Sequence, residues 1–120
     1  IKQNKTISLY NYGNHTRDYT HVSDVAFFLS KLIKKKSIKK TPFQIFNIAR
    51  SKPQKLKYFI TLIERFLNKK AKIKYIKLQK GDVKDTYGEN KKITNKISKH
   101  KFTDINEGLE EFFEWFNKKY

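Results

Sequence analysis

The sequence predicts a single α/β domain, because short segments of strand character alternate with amphipathic helical segments along its 120 residues. Ile7 and Leu9 alternate with polar neighbours, which is typical of a half-buried strand. Between residues 56 and 67, apolar side chains recur at helical spacing. The length suits one domain, residues 1–120, which is large enough to bury a core.

The N-terminal part of the chain is predicted to hold two strands and a helix. The strand around Ile7 ends at Gly13, and a second extended segment covers residues 17–22. Ser23 or Asp24 is expected to cap the helix that follows, and we assign Asp24 no chemistry. The apolar side chains on one face of this helix are Val25, Phe28, Leu29, Leu32 and Ile33.

Residues 43–48 are apolar on both sides, which predicts a strand in the interior of a covered parallel sheet. Few other predicted strands are available to flank it, and an unpaired strand leaves open backbone edges. We therefore expect its partner strands to lie in an N-terminal portion that this chain lacks.

A second helix is predicted to open at Ser51 and Pro53, with the proline near its first turn. Its buried stripe consists of Leu56, Phe59, Ile60, Ile63, Phe66 and Leu67. A strand through Ile73 and Tyr75, extending to Leu78, comes next and leads into a polar loop at residues 79–82.

The C-terminal part is predicted to be helical. Residues 89–98 form a short helix, and Asp104 with Glu107 resembles a capping box ahead of a final helix. The side chains expected to line one side of this last helix are Ile105, Leu109, Phe112, Phe113 and Phe116. We interpret its aromatic stripe, which includes Trp115, as packing.

Composition excludes several classes of protein. The hydrophobic content of 38% is too high for a disordered chain, and without cysteine there are no disulfides or thiolate metal sites. His15, His21 and His100 show no metal-ligand spacing and no carboxylate arrangement near them, so we expect no bound metal. No apolar run approaches the roughly 20 residues of a membrane span, and no signal peptide is visible. We expect a soluble, cytoplasmic protein without membrane contact.

The net charge of +17 invites a nucleic-acid interpretation. Lysine is, however, spread along the chain together with Ile, Asn, Phe and Tyr. A/T-rich codons encode all of these residues. The densest basic run, residues 34–40, lacks aromatic side chains that would stack on bases. We therefore attribute the charge to compositional bias, and a small basic nucleic-acid binder remains an alternative.

Two polar segments, residues 10–24 and 79–83, carry chemistry that suits a nucleotide diphosphate. The guanidinium of Arg17 matches phosphate oxygens, and the Asp82 carboxylate can accept from both ribose hydroxyls. Gln79 adds an amide in the second segment. The competing interpretations are a surface ion pair between Arg17 and Asp18, and Asp82 as a simple turn residue after Gly81.

Five segments occur in an order that resembles the C-terminal third of a nucleotide-sugar epimerase of the extended short-chain dehydrogenase/reductase family. They are residues 10–14, 17–24, 46–48, 79–83 and 107–116. Within that family the sequence is most similar to the UDP-glucuronate 4-epimerase group. The resemblance implies the substrate-binding portion of a Rossmann-type fold, without its N-terminal dinucleotide-binding part.

The resemblance also implies roles for four residues. Arg17 would contact the UDP pyrophosphate, Gln79 and Asp82 the nucleotide with Asp82 at the ribose, and Thr86 the phosphates or the sugar. Where the family usually has glycine and proline, this chain has Ala49 and Lys80.

The family reaction requires NAD, and its site needs a glycine-rich turn between a strand and a helix. The four glycines of this chain are scattered, and the Tyr-x-x-x-Lys catalytic pair expected from the family would lie upstream of Ile1. We expect no catalytic residue and no cofactor site in this chain, which would be inactive alone. Since it does not begin with methionine, we also expect a piece of a longer protein. An alternative is a module that completes a separate N-terminal NAD-binding half, or that associates with itself.

Overall fold

The computed structural model describes residues 1–35, 43–98 and 100–119. Within them the chain forms short strands and α-helices in alternation, which confirms the predicted α/β class. In chain order the elements are β1 (Ile7–Leu9), a 3-10 turn (Tyr10–Gly13), β2 (Thr16–Arg17), α1 (Val22–Ile33), β3 (Gln54–Lys55), α2 (Leu56–Leu67), β4 (Ile73–Tyr75), α3 (Lys91–Lys96) and α4 (Ile105–Lys119).

The four strands form two separate pairs. β1 and β4 run parallel, with Ile7 opposite Ile73. β2 and β3 run antiparallel, with Arg17 opposite Gln54. Thr16 also forms an isolated bridge with Asp85, which attaches the loop after β4 to β2. This bridge brings the two polar segments of the sequence side by side.

The main core lies between α2 and α4. Its buried residues are Leu62, Ile105, Leu109 and Phe113. The ring of Phe66 stacks on Phe113 with 5.1 Å between the ring centroids. The apolar stripes predicted for these two helices therefore pack against each other, although Phe112 and Trp115 remain about half exposed.

The predicted interior strand at residues 43–48 is wrong for this chain. The segment has no regular secondary structure, and the side chains of Phe43 and Ile45 are 69% and 73% exposed. The physical reason is the absence, among the described residues, of any strand that pairs with it. Phe43 and Ile45 thus remain uncovered, whereas Phe46 and Ile48 are partly buried.

Several predicted boundaries need correction. The predicted extended segment at residues 17–22 is too long, since β2 ends at Arg17. Helix α1 already begins at Val22, and His21 is its N-terminal cap residue. Neither Ser23 nor Asp24 is the cap. On the predicted apolar face of α1, Leu29 and Ile33 are exposed.

The second helix begins at Leu56 rather than at Ser51 or Pro53, because Gln54 and Lys55 pair with β2. Strand β4 ends at Tyr75, so Leu78 lies outside it. The short helix predicted within residues 89–98 is confirmed as α3.

The predicted capping box of the last helix is confirmed. The Asp104 N–H donates to Glu107 Oε2 over 3.1 Å, and Asp104 Oδ1 accepts from the Asn106 N–H over 3.0 Å. Both bonds satisfy amide groups that an uncapped helix would leave without partners.

The chain is a thin slab rather than a compact sphere. It measures 53 × 38 × 20 Å, with a radius of gyration of 17.7 Å. A compact domain of this length is expected near about 14 Å. Within the described residues, no helix is long and apolar enough to cross a membrane.

Candidate functional site

Arg17 lies at the end of β2 and reaches across to the loop that follows β4. Its Nη1 group donates to the carbonyl oxygens of Thr16 (2.9 Å) and Lys84 (2.8 Å). Its Nη2 group donates to the carbonyl oxygen of Val83 (2.9 Å) and approaches Asp82 Oδ1 at 3.4 Å. The guanidinium therefore connects β2 to residues 82–84.

Asp82 projects from a turn in that loop. Its N–H donates to the carbonyl oxygen of Gln79 over 3.2 Å, and Gly81 has a φ of +83°, which suits glycine. The side chains of Arg17 and Asp82 are 28% and 33% exposed, so both are accessible to a ligand. Gln79 is exposed at the start of the same turn.

Thr86 faces the backbone of the first polar segment. Its Oγ1 accepts from the N–H of Asp18 over 3.0 Å, and its own N–H donates to the carbonyl oxygen of Thr16 over 3.2 Å. The structure therefore brings together three sequence-predicted residues, Arg17, Gln79 and Asp82. Thr86 lies beside them, where it fastens the end of the loop.

His15 is a residue that the sequence interpretation missed. It is only 4% exposed, and its Nδ1 atom lies 3.1 Å from the carbonyl oxygen of Lys84. Its Nε2 atom lies 3.7 Å from Asp82 Oδ2. The expectation that no carboxylate lies near the histidines is therefore wrong. Because His15 and Lys84 are 69 residues apart, no local sequence pattern indicates their contact.

The same expectation fails for His21 and His100. His21 Nε2 lies 3.8 Å from Glu111 Oε2, and His100 Nε2 lies 2.7 Å from Asp24 Oδ1. Asp24 is 2% exposed and also accepts from the N–H (3.1 Å) and the hydroxyl (3.1 Å) of Thr103. Asp24 is thus a buried acceptor that attaches residues 100–103 to α1, and the helix-cap prediction is wrong.

Asp85 stabilises the junction between β2 and the loop. The Thr16 hydroxyl donates to Asp85 Oδ1 over 2.5 Å, and the Thr16 N–H donates to the same oxygen over 3.2 Å. The hydroxyl bond is the largest cause that lowers the pKa of Asp85, and the charges of Arg17 and His15 add smaller contributions.

Asp18 does not form the surface ion pair with Arg17 that was the competing interpretation. Its Oδ2 atom accepts from the N–H groups of Ser51 (3.1 Å) and Gly88 (3.0 Å). Its Oδ1 atom accepts from the N–H of Lys52 over 3.3 Å. Ser51 has a φ of +60°, a backbone conformation that serine rarely adopts. The hydrogen bond from its N–H to Asp18 stabilises that conformation.

A second charged contact lies at the start of α4. The Nη2 group of Arg50 donates to Asp104 Oδ2, and the Arg50 side chain is 8% exposed. Hydrogen bonds from Asn106 are the largest cause that lowers the pKa of Asp104, and Arg50 contributes less. Arg50 thus ties residues 49–51 to the last helix.

Two cavities lie close to this region. One, of about 420 Å³, is an apolar cleft with Tyr19, Phe59, Leu109 and Phe112 in its lining. The other, of about 530 Å³, includes Thr16, Gln54 and Asp104 in its lining. Neither is lined by Arg17 or Asp82. Burial in the first cleft raises the pKa of the Tyr19 phenol.

The residues present do not fit NAD. Within residues 1–35, 43–98 and 100–119, the turn from β3 into α2 passes directly from Lys55 to Leu56 without a glycine. A glycine-rich turn at that kind of junction is what a dinucleotide site requires. The described residues also contain no group of three His, Asp or Glu side chains placed to hold a metal ion.

Comparisons with known proteins agree with this fold. An uncharacterised Methanocaldococcus jannaschii protein is 46% identical over 112 residues, which are 93% of this chain and 33% of that protein. A UDP-glucuronate 4-epimerase of Thermodesulfobacterium geofontis is 29% identical over 96% of this chain and 34% of that protein. No family model matches the sequence.

Solved structures give the same result. A UDP-glucuronic acid 4-epimerase from Bacillus cereus, in complex with UDP-glucuronic acid and NAD, superimposes with a TM-score of 0.83 at 20% identity. The match covers 98% of this chain and 37% of that one. The chain thus spans about a third of the length of the first relatives that it matches.

The fold of this chain therefore matches about a third of the fold of solved nucleotide-sugar 4-epimerases. Homologues and structural neighbours of this chain are UDP-glucuronate 4-epimerases and related epimerases of the extended group. The resemblance stated from the sequence is confirmed.

Proposed function

We propose that this chain is the UDP-sugar-binding segment of an NAD-dependent nucleotide-sugar epimerase of the UDP-glucuronate 4-epimerase type. The observation that carries the proposal is the meeting of Arg17 and Asp82, which are 65 residues apart in sequence. A cation and a carboxylate that are both partly exposed at one place match the two ends of a nucleoside diphosphate.

Each residue has a separate chemical role in this proposal. Arg17 binds the pyrophosphate, since its planar fork of donors matches phosphate oxygens. Asp82 accepts from the ribose hydroxyls, and the exposed amide of Gln79 contacts the nucleotide. Thr86 keeps the loop end against β2, close to the phosphates or the sugar.

Binding requires an exchange of partners at Arg17. In the free chain its Nη1 and Nη2 groups donate to three carbonyl oxygens and to Asp82. Of the five N–H groups of a guanidinium, four are thereby used. A pyrophosphate would replace neutral acceptors by charged ones, which form stronger bonds with arginine.

The proposal assigns no redox step to this chain. Oxidation of the sugar and return of the hydride are chemistry that NAD supplies in the intact family enzyme, and we propose that this chain contributes substrate binding alone. Binding of the UDP-sugar is therefore the activity to test in the 120-residue chain.

Isothermal calorimetry with UDP-glucuronate tests this proposal. We expect weak binding that Arg17→Ala reduces by at least about tenfold, the scale of a lost charged hydrogen bond. Arg65→Ala is the matched control, since Arg65 lies on α2 and its guanidinium sits over the ring of Phe66. Equal losses in both variants would mean general attraction to positive charge. The absence of heat at millimolar ligand would contradict retained binding.

A second candidate function is association with a separate NAD-binding half, and exposed Phe43 and Ile45 favour it. An apolar segment that pairs with no strand among the described residues suits addition to the edge of another sheet. Co-expression with the N-terminal half of a related epimerase should yield a complex with NAD-dependent turnover. Ile45→Lys should abolish it, whereas Ile33→Lys, at an equally exposed position on α1, should not. Failure of the wild-type pieces to co-purify would contradict this function.

A further inference from the structure

We infer that His15 is a positioning residue for Asp82, and that it holds the carboxylate only when its ring carries two protons. The inference rests on the proposed function, since it concerns the same nucleotide site.

The surroundings of His15 determine where its first proton lies. Nδ1 is 3.1 Å from the carbonyl oxygen of Lys84, which can only accept a hydrogen bond. Nδ1 must therefore be the donor, and the neutral ring is left with a bare lone pair on Nε2. That atom is buried and has no hydrogen-bond partner.

Nε2 faces Asp82 Oδ2 at 3.7 Å. In the neutral ring two electron-rich atoms oppose each other there, whereas in the imidazolium an N–H faces a carboxylate. Protonation therefore converts a repulsive contact into an attractive one. The charged groups around the ring are Asp82, Asp85 and Arg17. On the α2 side, Lys57 binds the neighbouring Asn14.

The doubly protonated ring holds one oxygen of Asp82 while Arg17 approaches the other. A carboxylate has about four lone-pair sites, so one on each oxygen stays free for the two ribose hydroxyls. His15 thus holds one oxygen of a carboxylate whose side chain is 33% exposed to solvent. Loss of its proton releases Asp82.

UDP-glucose is a suitable probe, because its diphosphate is a diester that does not titrate near neutral pH. We expect its affinity to fall roughly fivefold between about pH 5.5 and about pH 8, the scale of one hydrogen bond. His15→Gln, which offers an amide donor at a similar position, should bind with the same affinity at both pH values. His21→Gln should retain the wild-type pH dependence, and a pH dependence that persists in His15→Gln would overturn the inference.

Nitrogen NMR of the ligand-free chain separates this inference from the proposed function. The neutral ring of His15 should carry its proton on Nδ1, and Asp82→Asn should make the ring lose its second proton at lower pH. Absence of UDP-glucose binding would contradict the function only. A neutral ring protonated on Nε2, or a titration unaffected by Asp82→Asn, would overturn the positioning role.

Discussion

The methyl group of Ala49 occupies the space that a side chain at Gly88 would need. A Cβ atom added to Gly88 would overlap the Cβ of Ala49, which is itself buried. The contact joins the segment before α2 to the loop before α3.

Gly88→Ala should therefore destabilise the chain by about 1–3 kcal/mol, the usual cost of overpacking. The double variant Ala49→Gly, Gly88→Ala should recover most of the lost free energy of unfolding. Urea unfolding of the wild type, the single variant Gly88→Ala and the double variant measures this. Gly81→Ala is the matched control. It meets no atom within 4 Å and is strained only by its positive φ, so Ala49→Gly should not rescue it. Equal stability of Gly88→Ala and the wild type would contradict the observed contact.

Asp18→Asn should also destabilise the chain, by about 1–3 kcal/mol. The carboxylate accepts from the N–H groups of Ser51, Lys52 and Gly88 with both of its oxygens. An amide keeps only one of these oxygens, and its NH2 group would face at least one of the three N–H donors. The denaturation midpoint should fall, whereas Glu110→Gln, on the exposed side of α4, should leave it nearly unchanged. An unchanged midpoint for Asp18→Asn would show that these bonds add no net stability.

The folded chain should lose stability in acid, because Asp85 then becomes protonated. Since the pKa of Asp85 is lower in the folded chain than its ordinary value near about 4, ionised Asp85 stabilises the fold above that value. The stabilisation is lost as the pH drops through the folded pKa. Thermal unfolding followed below about pH 5 should show this decline.

Thr16→Val should make that acid decline shallower, because it removes the hydroxyl that is the largest cause of the lowered pKa. Thr61→Val is the control, since the Thr61 hydroxyl donates only to the Lys57 carbonyl oxygen within α2. Identical acid profiles for wild type and Thr16→Val would contradict the assignment.

Local sequence patterns predicted parts of the helices and the loop at residues 79–82. The stripes of α2 and α4, the capping box at Asp104 and the turn before Asp82 all depend on residues within a few positions of one another. Periodicity and side-chain capping act over that range, so one sequence suffices to identify them. The strand β1 was predicted to end at Gly13, but it ends at Leu9, where the 3-10 turn begins.

Contacts between distant segments decided the rest. His15 contacts Lys84, which is 69 residues away, and Asp24 contacts His100, which is 76 residues away. No local sequence pattern predicts contacts over such separations. The segment 43–48 has the composition of a strand, yet a strand exists only where another backbone pairs with it. Sequence alone thus determined which residues bear charge and which faces are apolar, and tertiary packing decided which of those groups meet.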